Sequence, residues 1–140
     1  MKRPGFAFAT RFRVRYSEID GQKIVFNSRY LEYADVAITD YWERAEMDML
    51  PGWRGLEFNI VRALVEYKRP FRLGDTVEAF ARTARVGTSS LTTEIHLCHA
   101  HTGELHATIE LVNVNVDLNS RRAVPLPTGV RERLAAVDAG

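Results

Sequence analysis

A carboxylate close to the predicted start of a helix is the first arrangement in this chain that could do chemistry. Asp20 stands shortly before Asn27 and Ser28, where a helical apolar pattern begins. A carboxylate can act as a general base on water or attack a carbonyl carbon directly. The free backbone N–H groups at a helix start suit the negative charge that then develops on the carbonyl oxygen. Taken alone, however, Asp20-Gly21 is more typical of a turn.

Imidazole and thiol side chains form a second arrangement, which could bind zinc. Its members lie close together in the sequence: His96, Cys98, His99, His101 and His106. They fall on two predicted strands and the turn between them, where alternation sends neighbours to opposite faces. No Cys-x-x-Cys pair accompanies them. We therefore predict solvent-exposed histidines and no metal site.

The composition narrows the class of protein. The 140 residues are 46% hydrophobic, and 19 Lys and Arg against 18 Asp and Glu leave a net charge of +1. This predicts one domain over residues 1–140, without general attraction to nucleic acid or anionic membranes. The apolar runs are too short for a signal peptide or a membrane span. With Cys98 as the only cysteine, we expect a cytoplasmic protein without disulfides.

Two periodicities predict the elements that flank Asp20. Residues 6–16 alternate, which predicts a strand with one buried face: Phe8, Phe12, Val14 and Tyr16. Glu18 is then expected as an exposed residue at the strand end. From Asn27 to Met49 the apolar spacing changes to three and four, which predicts an amphipathic helix of about 20 residues. Asn27 or Ser28 should cap it, and Pro51-Gly52 should end it.

Four further strands are predicted over residues 60–71, 76–86, 90–98 and 105–117, followed by a short helix over 127–136. Their short connections predict antiparallel neighbours. One amphipathic helix requires a large apolar surface, which a curved sheet supplies. We therefore predict an α+β fold in which about five antiparallel strands wrap around one long central helix. Pairing with further copies in a homo-oligomer, either a dimer or a tetramer, would cover the sheet edges.

Two sequence motifs resemble those of a known family. Arg15 to Tyr33 resembles the opening motif of hotdog-fold acyl-CoA thioesterases of the 4-hydroxybenzoyl-CoA thioesterase type, in which a tyrosine on the central helix follows an aspartate by ten positions. Asp20 and Tyr30 have that spacing. Tyr67-Lys68-Arg69-Pro70, followed by Gly74-Asp75, resembles the Tyr-x-x-Pro and Gly-Asp landmarks of the same family. The similarity runs from about Phe12 to Asp117.

The resemblance implies hydrolysis of an acyl thioester of CoA or of acyl-carrier protein at a subunit interface, without a cofactor. It implies Asp20 as the catalytic carboxylate and the Asn27 amide as the group that polarises the carbonyl. CoA carries phosphates, so basic and hydroxyl residues should contact it, and Tyr30 should line the acyl pocket. The candidate substrate-binding residues are Tyr30, Lys68, Arg69, Arg85, Thr88 and Ser89.

One departure from the family pattern leaves an alternative open. Lys23 and Ile24 stand where the family usually has glycine or a Gly-His or Gln-His pair. This favours a second hypothesis, a module that binds acyl thioesters without hydrolysing them. A hotdog dehydratase or hydratase has less support, because that chemistry requires a histidine near the helix and residues 27–49 contain none.

Overall fold

A five-stranded antiparallel sheet and one long helix form the body of the protein. The computed structural model describes residues 2–140. The strands are β1 (Phe8–Arg13), β2 (Phe58–Tyr67), β3 (Thr76–Val86), β4 (Ser90–His99) and β5 (Leu105–Asn115), and the helices are α1 (Arg29–Arg44) and α2 (Val130–Asp138). The strand order is β1-β3-β4-β5-β2, with antiparallel neighbours throughout. The predicted α+β arrangement is confirmed, with the short second helix at the C-terminal end.

The core lies between α1 and one face of the sheet. Ala34 and Ala37 of α1 are fully buried, as are Ala79 and Ala81 of β3. These small side chains allow the helix to lie close to the sheet, while large apolar residues fill the space around them. The buried helix residues are Tyr30, Tyr33, Ala34, Ala37, Ile38 and Tyr41. Tyr30, Ala34, Ile38 and Tyr41 fall on the three- and four-residue spacing that predicted the buried face, and Tyr33 and Ala37 add to it.

Strand β2 differs from the other strands because it forms an edge and remains exposed. It pairs only with β5 among the described strands, and Ile60, Val61, Leu64 and Tyr67 are all exposed. The expectation that every short connection joins antiparallel neighbours is wrong here. Residues 68–75 are few, but they cross the end of the sheet to reach β3, which lies on the far side of β4 and β5.

Three local predictions are also wrong. Strand β1 ends at Arg13, and the chain then enters a 3₁₀ turn that leaves Tyr16 79% exposed. Helix α1 ends at Arg44, well before Pro51-Gly52, because Glu46 adopts a left-handed conformation (φ 54°) that an α-helix does not accommodate. Met49 therefore lies outside the helix and is 68% exposed.

A glycine marks the position at which the second helix begins. Gly129 has a φ of 99°, a conformation open to glycine at little cost, and α2 begins directly after it. Val130 and Leu134 of α2 are buried in the core. Among the described residues, no helix is long and apolar enough to cross a membrane.

Candidate active site

Asp20 lies in a tight hairpin formed by residues 18–26. Ile19 and Val25 form an antiparallel bridge, and the Asp20 N–H donates to the Ile24 carbonyl at 2.9 Å. The Gln22 N–H donates to Oδ1 of Asp20 at 2.8 Å. Oδ2 accepts no hydrogen bond from any residue in the range 2–140. One carboxylate oxygen thus holds the turn while the other is free to accept a proton or to attack.

Lys23 completes this hairpin in an unusual conformation. The Lys23 N–H donates to the Asp20 carbonyl at 2.9 Å, and Lys23 has a φ of 64°. A turn followed by one left-handed residue is a common hairpin loop, and that residue is usually glycine. The hairpin is therefore tight although the family's glycine is absent. Lys23 accepts the strained conformation instead.

Glu18 anchors the hairpin to the helix, and the prediction that it is exposed is wrong. It is only 3% exposed. Its carboxylate accepts hydrogen bonds from the backbone and side chain of Arg15 and from the Tyr33 hydroxyl at 2.8–2.9 Å. Burial raises the pKa of Glu18, but the hydrogen bonds from Arg15 and Tyr33 outweigh it and hold the pKa below its usual value. The hairpin and α1 are therefore joined by a charged carboxylate.

The start of α1 carries no side-chain cap. Ser28 occupies the N-cap position with φ −68° and ψ −21°, and its side chain makes no capping hydrogen bond. The prediction that Asn27 or Ser28 caps the helix is wrong in this respect, because Ser28 already has helical torsions, whereas a capping residue is usually extended. The backbone N–H groups of Asn27 and Ser28 find no acceptor anywhere in the described chain. They remain available to a ligand.

A cavity of about 370 Å³ brings the hairpin, the helix start and the end of β2 together. Five of the eight predicted site residues line it: Asp20, Asn27, Tyr30, Lys68 and Arg69. Gln22, Ile24, Val25, Phe26, Tyr67 and Pro70 complete the lining. The free carboxylate oxygen, the helix start and two cationic side chains therefore share one site.

The backbone of Lys68 and Arg69 is held in place by His106 of β5. The His106 carbonyl accepts the Lys68 N–H at 2.7 Å and the Arg69 N–H at 3.1 Å. The imidazole is buried and stacks on Phe71 with ring centroids 4.2 Å apart. Burial lowers its pKa, which favours the neutral ring. Arg69 also pairs with Glu104 at 3.1 Å, whereas the exposed Lys68 ammonium has no partner within residues 2–140.

The histidines do not all lie at the exposed positions that the sequence predicted. His106 is buried, so the prediction of exposure is wrong for it, and the ring of His96 accepts a hydrogen bond from Arg3 at 2.9 Å. Cys98 is a buried free thiol. Within the part of the chain that the structure describes, no three side chains of metal-binding type converge on one point.

Arg85, Thr88 and Ser89 lie apart from this cavity within the single chain. The Ser89 carbonyl accepts the Asn115 N–H at 2.8 Å, and Asn115 pairs with Phe58 at the start of β2. The cavity lies at the other end, where Tyr67 pairs with Ala107. The distance along β5 between these ends is roughly 25 Å at about 3.3 Å per residue. One chain therefore does not bring these three residues to Asp20.

Two tyrosines connect the helix start to its surroundings. The Tyr30 hydroxyl accepts the Phe71 N–H at 3.2 Å, and burial raises the pKa of this tyrosine. The Tyr67 hydroxyl donates to the Asn27 carbonyl at 2.9 Å. The sequence assigned no site role to Tyr67, although it opens the Tyr-x-x-Pro motif. That motif was the one signal available, because a contact between β2 and α1 has no local pattern.

Known proteins share this architecture. A family model described as the thioesterase-like superfamily matches residues 14–134. The long-chain acyl-CoA thioesterase FadM of Escherichia coli (strain K12) is 25% identical over 126 residues, which cover 89% of this chain and 95% of FadM. A thioesterase from Thermus thermophilus, solved with coenzyme A and Zn, is 33% identical with a TM-score of 0.82, and the match covers 99% of both chains.

A third known protein is similar to this chain in fold alone. Slr0204, a 1,4-dihydroxy-2-naphthoyl-CoA thioesterase from Synechocystis, also has a TM-score of 0.82 at 17% identity, over 94% of this chain and 97% of its own. The family match spans both the hairpin that carries Asp20 and the strands that close the cavity. The chain belongs to the thioesterase-like superfamily.

Proposed function

We propose that this protein hydrolyses acyl-CoA thioesters to a free acid and CoA, using the cavity between the hairpin, α1 and β2. The observation that carries the proposal is the Asp20 carboxylate in the same cavity as the uncapped start of α1. The names of FadM and of the CoA-bound Thermus thioesterase support the substrate class. The position of the Asp20 carboxylate ahead of the central helix supports the finer proposal, that the protein is of the 4-hydroxybenzoyl-CoA thioesterase type.

The chemistry follows from these groups. The thioester carbonyl oxygen accepts the Asn27 N–H, which stabilises the negative charge of the tetrahedral intermediate. In one route, Asp20 takes a proton from water, the resulting hydroxide adds to the carbonyl carbon, and the C–S bond breaks to release CoA thiolate. In the other route, Asp20 attacks the carbonyl carbon, CoA thiolate leaves, and water hydrolyses the acyl–aspartate anhydride.

Lys68 and Arg69 are proposed to bind the phosphates of CoA. Both lie on the cavity wall, and both side chains are exposed. Lys68 has a free ammonium group, which suits an incoming phosphate as a point charge. Arg69 forms an ion pair with Glu104, so a phosphate would have to compete with the Glu104 carboxylate for the guanidinium group. The substrate could equally carry its phosphate on acyl-carrier protein, and assays with both thioesters separate the two.

A homodimer through β2 is proposed as the working unit. The edge of β2 exposes backbone groups together with Ile60, Val61 and Leu64, a combination that a second strand would cover. Antiparallel pairing of two β2 strands places the Phe58 end of one beside the Tyr67 end of the other. The turn containing Thr88 and Ser89, with Arg85 near it, would then come from the second protomer to the cavity end of the joined sheet. Sedimentation of the native chain as a monomer at micromolar concentration would contradict this pairing.

A cytoplasmic location remains part of the proposal. The buried free thiol of Cys98 fits a reducing compartment. Measuring the activity in separated cell fractions tests it, because activity in a secreted fraction alone would rule it out.

The test of hydrolysis is thiol release from short, long, branched and aromatic acyl-CoAs by the native chain and by Asp20→Asn. Asparagine keeps the Oδ1 acceptor for Gln22 but supplies neither a base nor a carboxylate nucleophile. We expect turnover to fall at least about 100-fold while the protein remains folded. Asp117→Asn is the matched control, because Asp117 also accepts backbone N–H groups in a turn, at 2.8–2.9 Å, but lies outside the cavity.

The outcomes separate the two functional hypotheses. Acyl-CoA binding without turnover by the native chain would favour the non-catalytic binding module. Turnover that survives Asp20→Asn would mean that another group is the catalytic carboxylate. Loss of turnover in both Asp variants would indicate that the substitutions act by disturbing turns rather than by removing the catalytic group.

A further inference from the structure

The beginning of α1 is held from outside the helix. After the 2.9 Å bond from the Arg29 N–H to the Phe26 carbonyl, the next two hydrogen bonds are longer, with 3.3 Å from the Tyr30 N–H to the Asn27 carbonyl and 3.3 Å from the Leu31 N–H to the Ser28 carbonyl. The N-cap side chain makes no capping bond. A helix end with weak internal bonds and no cap frays readily. The Tyr67 hydroxyl, 2.9 Å from the Asn27 carbonyl, makes a shorter bond at this position.

We infer that Tyr67 is a positioning residue that fixes the helix start so that its backbone N–H groups face the thioester carbonyl. This inference rests on the proposed hydrolysis. Peptide units are planar, so holding the Asn27 carbonyl also fixes the direction of the Ser28 N–H. It restricts the torsions of Asn27 as well, and hence the direction of the Asn27 N–H that is proposed to polarise the substrate.

The tyrosine is itself held on two sides. Its ring packs edge-on against Tyr30, with centroids 4.9 Å apart. Its backbone belongs to the last residue pair of β2, where it faces Ala107 of β5. The next two residues donate their N–H groups to the His106 carbonyl. The hydroxyl therefore connects the helix start to the last residue pair of the sheet edge.

The contact also joins two proposed features of the enzyme. Tyr67 ends the exposed edge strand that is proposed to pair with a second protomer, and it lines the cavity that contains Asp20. A shift of β2 would be transmitted to Asn27 through a single hydrogen bond. Small misplacements of a reacting group can cost as much as about 100-fold in rate, so the bond is well placed to matter for turnover.

The test compares the native chain with Tyr67→Phe, which keeps the ring against Tyr30 and removes only the hydroxyl. We expect kcat to fall about tenfold, less than the loss from removing an oxyanion donor outright, with KM for acyl-CoA within about twofold. Hydrogen exchange of the amides of residues 29–31, which donate to the Phe26, Asn27 and Ser28 carbonyls, should become faster, while exchange in the core strand β4 stays unchanged. Tyr16→Phe is the matched control, because Tyr16 is exposed and lies outside the cavity.

Several results would overturn the inference. An unchanged kcat would remove the role of Tyr67 in turnover, whatever the exchange rates. A raised KM with unchanged kcat would make Tyr67 a substrate-binding residue, and a lower kcat without faster exchange would mean that the hydroxyl acts on the substrate itself. If the native chain showed no turnover, the proposed function would fail on that assay alone. Unchanged exchange in Tyr67→Phe would then still show that the hydroxyl does not hold the helix start.

Discussion

A tyrosine hydroxyl fixes each end of α1, but the two ends differ in what they leave unsatisfied. Near the C-terminal end, Tyr41 donates to Asp138 of α2 at 2.8 Å and bonds to Thr83 of β3 at 2.8 Å. At the N-terminal end, Tyr67 binds one carbonyl, while the N–H groups of Asn27 and Ser28 have no acceptor in residues 2–140.

The difference separates groups that hold the fold from groups that are kept for a ligand. The Tyr41 ring is fully buried, so a missing partner for its hydroxyl would carry the cost of desolvation. At the cavity, open donors beside Asp20 can be hydrated in the free protein at little cost and are ready for a developing oxyanion. The same residue type therefore stabilises one end and, by our inference, positions the other.

The largest effect is expected from removing the Asn27 N–H. The Arg29 N–H donates to the Phe26 carbonyl at 2.9 Å, which places Asn27 at the second position of a turn, where proline is well accepted. Asn27→Pro should therefore fold and should lower kcat by about 100- to 1,000-fold, the usual loss for one oxyanion donor. Asn27→Ala, which keeps the N–H, should lose far less than about tenfold. Equal loss in both variants, measured by thiol release, would show that the side chain rather than the amide is used.

A smaller effect, on stability rather than on rate, is expected at the other end of the helix. Tyr41→Phe leaves Asp138 and Thr83 without the hydroxyl and should lower the free energy of unfolding by about 1–2 kcal/mol. Its kcat per folded molecule should remain native, in contrast to Tyr67→Phe. Urea unfolding followed by fluorescence measures the first quantity. A large loss of kcat in Tyr41→Phe would erase the distinction between the two ends.

The smallest effect should be a gain in stability at Lys23. A left-handed conformation costs a non-glycine residue about 1 kcal/mol or somewhat more, so Lys23→Gly should relieve strain, offset in part by the greater freedom of glycine in the unfolded chain. We expect the free energy of unfolding to rise by about 0.5–1 kcal/mol. Arg121→Gly is a useful comparison, because Arg121 also has a positive φ (62°) but lies far along the chain from the hairpin. A destabilised Lys23→Gly would mean that the lysine side chain contributes more than its strain costs.

The sequence by itself determined most of the elements and, through the family resemblance, indicated much of the candidate site. Alternation and three- to four-residue spacing are local consequences of strand and helix geometry, so strands β3, β4 and β5 and the buried face of α1 were predicted closely. The spacing of Asp20 and Tyr30 and the Tyr-x-x-Pro motif resemble those of a known family, and that resemblance led to five of the residues that line the cavity. These signals depend on neighbours in the chain and need no tertiary contact.

Only the tertiary structure decided how these pieces meet. Nothing local in residues 68–75 shows that β2 pairs with β5 instead of β3. The burial of Glu18 depends on Arg15 and on Tyr33 from α1, and the hydroxyl of Tyr67 meets a helix start forty residues earlier in the chain. Hydrogen bonds and packing between distant segments have no periodic signature, because their energy depends on the assembled geometry rather than on the order of residues. For the same reason, the sequence could not show that Arg85, Thr88 and Ser89, which were chosen as contacts for the phosphates of CoA, lie at the opposite end of the sheet in the single chain.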